Sequence, residues 1–460
     1  MSGWYETAFQ HVLYPAYETG LRRRSTLSWL SEYRSSQWLP PEGVVALQWA
    51  RLKRLLAHCE REVPFYRRRW RELGITAEDI QCPDDFAKLP LLSKDDIRNH
   101  FDELQAESWR DRLLFKATGG STGEPLRFGY TRESNDRRTA VMWRGYEWAG
   151  SRMGRRTMYL WAGAIGESGR MRRLKDRLYN AAFARRTLNS FQMTEANMAE
   201  YADAIDRYRP EIIVAYVGPL VRLAQWLVDV GRSIHQPRAI VGAAEALHEF
   251  QRELLEKAFG CPAFNTYGCR EVMLIAAECE QRCGLHVNAD HLAVELVDRN
   301  GAVPRGRPGD VVVTDLFNYG MPLIRYVNGD MATEGDGACS CGRGLPLLSR
   351  VDGRVLDAII SPDGHLLPGI FFPHMLKEVR GIERFQVVQR RLDQLDISIV
   401  RGKDFEEEAL PFIRHEVHRV LGASVALNFQ FVDDIALTRS GKLRVTVSEL
   451  HHREGLAGPA

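Results

Sequence analysis

Long apolar runs are missing from this chain. Nowhere do eighteen or more apolar residues follow one another, so no segment has the length that a bilayer-spanning helix needs. Nor does the charge lean to one sign: 62 lysines and arginines face 60 aspartates and glutamates, a formal +2 at pH 7. That balance excludes a whole-protein field of the kind that gathers nucleic acid or anionic lipid, and neither partner is expected. The opening Met1-Ser2-Gly3-Trp4-Tyr5-Glu6 lacks the basic region and apolar stretch of a secretory signal, so the expectation is a cytoplasmic protein. Cysteine is also sparse. Eight in 460 residues are too few for a disulfide scaffold, and most of them gather between Cys261 and Cys341, which in a reducing compartment points to metal binding or ordinary burial.

What is present is ample core-forming material. With 45% hydrophobic residues over 460, the chain can build one large domain and a smaller one. The first ninety or so residues read as helical, as in Val44 to Glu60, and carry no recognisable chemistry. From Leu114 onward, short apolar runs bounded by Gly or Pro (Arg156–Gly163, Ile212–Val217, Ala239–Ala244, Ala263–Tyr267) alternate with helical patterns, which predicts an α/β fold with largely buried strands. Leu292–Asp298, Asp310–Leu316 and Pro322–Tyr326 are strand-like with turn residues between them and predict mixed sheets with a more antiparallel, barrel-like subregion.

The pattern changes after Arg354. Asp357–Ser361 and His365–Leu367 flank the turn Pro362-Asp363-Gly364, Glu383–Gln389 and Leu395–Arg401 form a second strand pair, Phe405–Leu421 is an amphipathic helix and Val425–Val432 alternates as a strand. These elements predict a small α+β domain over 355–460 behind a large domain over 1–354.

Six segments carry chemistry in order. The first, Thr118-Gly119-Gly120-Ser121-Thr122-Gly123, combines three glycines with three hydroxyls, so that backbone and side-chain donors can converge on phosphate oxygens. No Lys-Ser/Thr pair follows its last glycine, which separates it from a Walker loop, and alone such a cluster is commonly a plain turn. Then come Gly242-Ala243-Ala244-Glu245, Asn265-Thr266-Tyr267-Gly268-Cys269-Arg270-Glu271, Met321-Pro322-Leu323-Ile324-Arg325-Tyr326 through Gly329-Asp330, and Arg350-Val351-Asp352-Gly353-Arg354. Thr438-Arg439-Ser440-Gly441-Lys442-Leu443-Arg444 closes the series.

In this order and spacing, from about Leu114 to Leu450, the segments resemble the adenylate-forming superfamily of acyl-CoA synthetases, adenylation domains and luciferases, and more narrowly the phenylacetate-CoA ligase family and its CapK-like relatives. The resemblance implies a large adenylate-forming domain and a mobile C-terminal lid. It implies that Thr118 to Gly123 wrap the ATP phosphates, that Ala243, Ala244, Glu245, Tyr267 and Gly268 border the adenine, and that Asp330 accepts from the ribose hydroxyls. It implies further that Glu271 holds Mg²⁺, that Arg350 and Arg354 add donors near the nucleotide and the hinge, and that Lys442 is the catalytic lysine. Trp161, Tyr159 and Asn189 lie where relatives line the acid pocket, although aromatic residues on core strands commonly serve packing.

The resemblance also favours Cys279, His286, Cys339 and Cys341 as a structural Zn²⁺ set, with Cys283 as the rival first ligand and buried free thiols as the alternative. The expected activity is ATP-dependent activation of a small, aryl or other, carboxylic acid as acyl-AMP, followed by transfer to CoA. Transfer to an amine, sugar or carrier protein is the alternative, because Gly353 to Gly364 reads closer to the CapK-like branch. A homodimer is among the expected assemblies. Cys269-Arg270 replaces the small or hydroxyl residues common between Tyr-Gly and the Mg²⁺-binding Glu, which narrows the acid pocket or places a cation near an acidic substrate. The basic stretch Arg170–Arg186 reads as a solvated helix face, with an acidic carrier or CoA phosphate as its functional alternative.

Overall fold

The computed structural model describes residues 3–450 apart from 119–125, 162–174, 176–177, 194, 299–300, 304–305, 336, 355–358, 363–365, 368–370, 377–378, 380, 404 and 437–443. Helices dominate the first hundred residues. The longest, Pro41–Glu62, starts with proline at its first turn, where the missing N–H has no intrahelical partner to lose, and buries Val44, Leu52, Leu55, Leu56 and Cys59.

The strands, in chain order, are β1 (Leu114–Ala117), β2 (Arg127–Tyr130), β3 (Thr157–Trp161), β4 (Arg185–Asn189), β5 (Ile212–Tyr216), β6 (Ala239–Ala243), β7 (Ala263–Cys269), β8 (Met273–Glu278), β9 (Leu285–Val287), β10 (Leu292–Asp298), β11 (Gly301–Ala302), β12 (Pro308–Asp315), β13 (Tyr326–Glu334) and β14 (Leu347–Arg354). β1 and β2 form a separate antiparallel hairpin. The remaining twelve make one sheet in the order β11-β10-β12-β13-β14-β9-β8-β7-β6-β5-β3-β4.

Its two halves differ as their sequences require. β5 and β6 read Ile-Ile-Val-Ala-Tyr and Ala-Ile-Val-Gly-Ala, buried along almost their whole length, and they pair in parallel with β3 and β7, as strands covered on both faces do. From β7 to β11 every pairing is antiparallel. The α/β reading and the more antiparallel region therefore meet at β7. The stretch Pro322–Tyr326 is not a strand: the ladder begins only at Tyr326, because Pro322 has no N–H to donate and Arg325 turns the chain with φ +51°.

Helix Arg132–Trp148 crosses under the antiparallel half. The Thr131 hydroxyl caps it by accepting the Ser134 N–H at 3.0 Å. Its buried Arg144 makes a two-toothed pair with Asp290 (2.5 and 2.8 Å) and also donates to Asn288 Oδ1 and the Tyr33 carbonyl, so both Asp290 oxygens are satisfied.

The C-terminal part contains the short hairpin β15 (Ile359–Ile360) and β16 (Leu366–Leu367), then β17 (Ile382–Arg391), β18 (Gln394–Arg401), β19 (Ala426–Phe431) and β20 (Thr446–Ser448). The last four form a sheet in the order β19-β18-β17-β20. Helix Ala409–Leu421 supplies Ile413 and Val417 to a core with Leu395, Ile397 and Ile399. It starts four residues later than the expected Phe405. The expected domain boundary, between 354 and 355, adjoins residues 355–358, which lie outside the described residues.

Candidate active site and metal cluster

The sheet changes from parallel to antiparallel at β7, and the motifs collect at the carboxyl ends of β6 and β7, beside that change. A mixed sheet opens a crevice where its connections diverge. Gly242-Ala243-Ala244-Glu245 leaves β6 with Ala244 at φ +66°, a left-handed conformation that an alanine adopts only when its surroundings impose it. The Thr266 hydroxyl donates to the Gly242 carbonyl at 2.6 Å and fixes the end of β6 against β7. Glu245 Oε2 accepts the Gly218 N–H at 2.6 Å, at the amino end of helix Val217–Asp229, where an anion is favoured by the helix dipole.

Tyr267 and Asp330 come from distant strands and meet. The Tyr267 hydroxyl donates to Asp330 Oδ2 at 3.0 Å, Asn328 Nδ2 donates to that hydroxyl at 2.8 Å and to Asp330 Oδ2 at 3.0 Å, and the Asp330 N–H donates back to Asn328 Oδ1 at 2.9 Å. Burial, reinforced by the Asp330 charge, pushes the Tyr267 phenol well above its ordinary range, so it stays a donor. The adjoining Gly268 is sterically required: a Cβ there would lie 1.9 Å from the Met273 carbonyl oxygen, where β7 bulges against β8.

Glu271 follows in the turn between β7 and β8. It is 7% exposed, accepts the Tyr326 hydroxyl at 2.7 Å, and is held through its backbone carbonyl by Arg138 Nη1 at 2.6 Å. Asn328 and Arg138 had no motif to announce them. The spacing of Asn328 from Asp330, two residues along one strand and hence on one face, is the signal that would have found it.

Other expected residues are distributed as follows. Thr118 closes the β1–β2 hairpin, its N–H donating to the Leu126 carbonyl and its hydroxyl accepting the Leu126 N–H, both at 2.9 Å. Gly119, Gly120, Ser121, Thr122, Gly123 and Lys442 lie outside the described residues. Arg350 is on β14, ion-paired with Asp352, and Arg354 stands opposite Asp330 in the β13–β14 register. Trp161 packs its ring 4.4 Å from that of Tyr216, and the Asn189 carbonyl accepts the Tyr201 hydroxyl. Most of Arg170–Arg177 is outside the described residues, while Arg185 and Arg186 lie on β4 rather than on a helix face, with Arg185 against Trp143, Tyr159 and Phe183.

Beyond this crevice, Cys279, His286, Cys339 and Cys341 place one ligand atom each within 4.8 Å of one another. Cys279 Sγ is 3.6 Å from Cys339 Sγ, and Cys341 Sγ is 3.3 Å from His286 Nε2. The His286 Nδ1–H points at the Leu345 carbonyl, 3.2 Å away, which leaves the Nε2 lone pair for the thiols' side. Burial pushes the imidazole down to about 4. Three sulfurs and a neutral imidazole nitrogen in one small volume are the donor set of a tetrahedral metal site. Cys283, exposed, approaches Cys339 at 3.0 Å but is not one of the four mutually close donors.

The chain is 30% identical over 401 residues to the phenylacetate-coenzyme A ligase of Thermus thermophilus, covering 84% of this chain and 86% of that one. It belongs to the phenylacetate-CoA ligase family. The protein CapK of Staphylococcus aureus is 22% identical over 408 residues, covering 88% and 89%, and the family model of the CapK C-terminal domain matches residues 359–449. A crystal structure of 2-hydroxyisobutyryl-CoA ligase in the postadenylation state superposes with a TM-score of 0.73 at 20% identity, covering 90% of this chain and 91% of that one, so the phenylacetate-CoA ligase family member described here shares its adenylate-forming fold. No helix among the described residues is long and apolar enough to cross a membrane.

Proposed function

We propose that this chain is an AMP-forming carboxylic acid:CoA ligase, which joins a small acid to AMP and then to a thiol. The observation that carries the reading is the Tyr267–Asn328–Asp330 network, beside Glu271, at the sheet's change of direction. Asp330, its carboxylate oriented by Tyr267 and Asn328, suits a pair of ribose hydroxyls, since an ionised carboxylate accepts on both oxygens. Ala243, Ala244 and Glu245 with Tyr267 and Gly268 would flank the base. The Glu271 carboxylate suits a hard cation such as Mg²⁺, with the Tyr326 hydroxyl holding its other lone pairs in place. Attack of a carboxylate on the α-phosphate brings two anions together and expels pyrophosphate. Lys442 is the residue proposed to span both anions, where its charge stabilises the crowded transition state more than the separated reactants.

Cys279, His286, Cys339 and Cys341 are proposed to hold a structural zinc, a closed four-ligand site that clamps the β9 and β14 region and leaves no open position for a bound water. Residues 1–354 and 355–460 are proposed as the nucleotide- and acid-binding body and the lid. A second acceptor class, an amine, a sugar or a carrier protein, is kept because of the CapK C-terminal match over 359–449. The test is acid-dependent ATP–pyrophosphate exchange across aryl, aliphatic and amino acids, followed by product analysis with CoA or amines. Exchange with some acids and thioester formation with CoA supports the reading; no exchange with any acid removes it.

A further inference from the structure

Arg138 is one of the largest fully buried side chains, 1% exposed, yet its Nε and Nη2 have no hydrogen-bond partner among the described residues. Its one hydrogen bond among the described residues runs from Nη1 to the Glu271 backbone carbonyl. The charges of Asp315 and Glu271 act on it, yet their hydrogen bonds go to other groups: Asp315 accepts from the Ser134 hydroxyl (3.2 Å) and the Phe317 N–H (3.0 Å), and Glu271 accepts from Tyr326. A buried guanidinium with two idle donor groups is expensive unless something charged reaches it.

A second cation stands nearby. The Arg138 guanidinium lies 4.4 Å from the centre of the Tyr130 ring, and Lys116 Nζ lies 4.7 Å from the same centre. Lys116 has no carboxylate partner among the described residues, and its ammonium is pushed down to about 8, by burial first and then by Arg138, Arg270 and Arg24. Arg24 is already neutralised by Glu18 and Asp136, so it is set aside. Arg270, exposed, immediately precedes Glu271. Lys116 and Tyr130 share one face of the β1–β2 hairpin, the hairpin that Thr118 closes, and Arg138 joins that face to the Glu271 turn. Three cations thus gather by the Glu271 turn: among the described residues neither Lys116 nor Arg270 has a carboxylate partner, and Arg138, whose charge is offset in part by Asp315 and Glu271, keeps two donor groups unused.

We infer that the acid activated here carries a second anionic group, a dicarboxylate or an aryl acid with an acidic substituent, and that Lys116, Arg138 and Arg270 receive that group while the other carboxylate is adenylated. The inference rests on the ligase reading. An anion seated there would occupy the idle Arg138 donors, relieve the repulsion among the cations, and select by charge, since a monoanionic acid would leave the buried guanidinium unmet.

The test uses matched pairs in the full-length protein: para-carboxyphenylacetate against para-methylphenylacetate, and glutarate against pentanoate, by pyrophosphate exchange. The dianionic member of at least one pair is expected to have a kcat/KM about tenfold higher, and Lys116→Gln with Arg270→Gln is expected to erase that preference through KM, while Lys116→Arg retains it. These sites are at the surface or half-buried, so the variants avoid emptying the core position of Arg138. Equal kcat/KM within both pairs overturns the inference, as does a variant that weakens all acids and ATP alike, which would assign the cations to the triphosphate. No exchange with either member of either pair, while other acids of the wider panel do exchange, also overturns the inference, and no exchange with any acid overturns the ligase reading itself.

Discussion

Gly268 and His291 show how single positions set limits around the crevice. At Gly268 the obstruction is a backbone carbonyl, which cannot swing aside as a side chain would, so Gly268→Ala is expected to lower stability by about 3 kcal/mol. A denaturant midpoint equal to that of the unmodified protein would refute it. His291 is fully buried, shares a hydrogen bond with the Tyr33 hydroxyl at 2.8 Å, and has no hydrogen-bond partner at Nε2 among the described residues. Burial first, and then Arg137, Arg138, Arg144 and Arg51, push its imidazole well below the ordinary value. Asp315 and Asp290 are the acids on that side, and Asp315 at 3.9 Å does not offset the cations.

The unfolded imidazole takes a proton near pH 6.5 while the folded one stays neutral, so the unfolded state binds more protons below that pH. The contribution is complete above about pH 6.5 and is lost as pH falls, at up to about 1.4 kcal/mol per unit. The thermal midpoint should therefore drop between pH 7 and pH 5, and less steeply in His291→Gln. Identical slopes would assign the acid sensitivity to other groups. Residue identity at the crevice was legible where a motif names the chemistry, as at Tyr267, Glu271 and Asp330. Asn328, Arg138 and His291 were silent because their roles arise from burial and from partners far away in sequence.

Among elements, the strands of the parallel half were readable because full burial writes an uninterrupted apolar run, as in β5 and β6. β14 was not read as a strand. Its sequence, Leu-Leu-Ser-Arg-Val-Asp-Gly-Arg, alternates poorly because its ladder with β13 shifts register twice. The same strand continues from the loop that bears Cys339 and Cys341, and it pairs with β9 at His286 itself, through Leu347. A metal held there would splice two chain segments whose ladder is only two residues long. Cys339→Ser with Cys341→Ser is accordingly expected to remove about one zinc per chain and to lower the melting temperature of the protein. Elemental analysis of protein purified without chelator decides this, and a metal-free preparation with an unchanged melting curve would show that the thiols pack without an ion.

For the molecule as a whole, the residues before Arg354 and those after it have separate sheets and separate cores among the described residues. The connection between them carries the mechanistic expectation. Lys442→Ala should depress acid-dependent exchange by about a hundredfold or more, since it removes the charge proposed to stabilise the transition state, yet spare thioester formation from a supplied acyl-adenylate. Equal damage to both half-reactions in a folded variant would mean that the lysine does not act in adenylation alone. Gly119 to Gly123 were legible only as a phosphate-friendly composition, because glycine and hydroxyl residues specify donors without specifying a shape.

The register of β13 and β14 has a further consequence. Asp330 is aligned with Arg354, the final residue before the connection to the C-terminal part. A ligand that loads that carboxylate is expected to steady the rung it shares with Arg354. Amide exchange at Gly353 and Arg354 should then slow when ATP is added, before any acid is present.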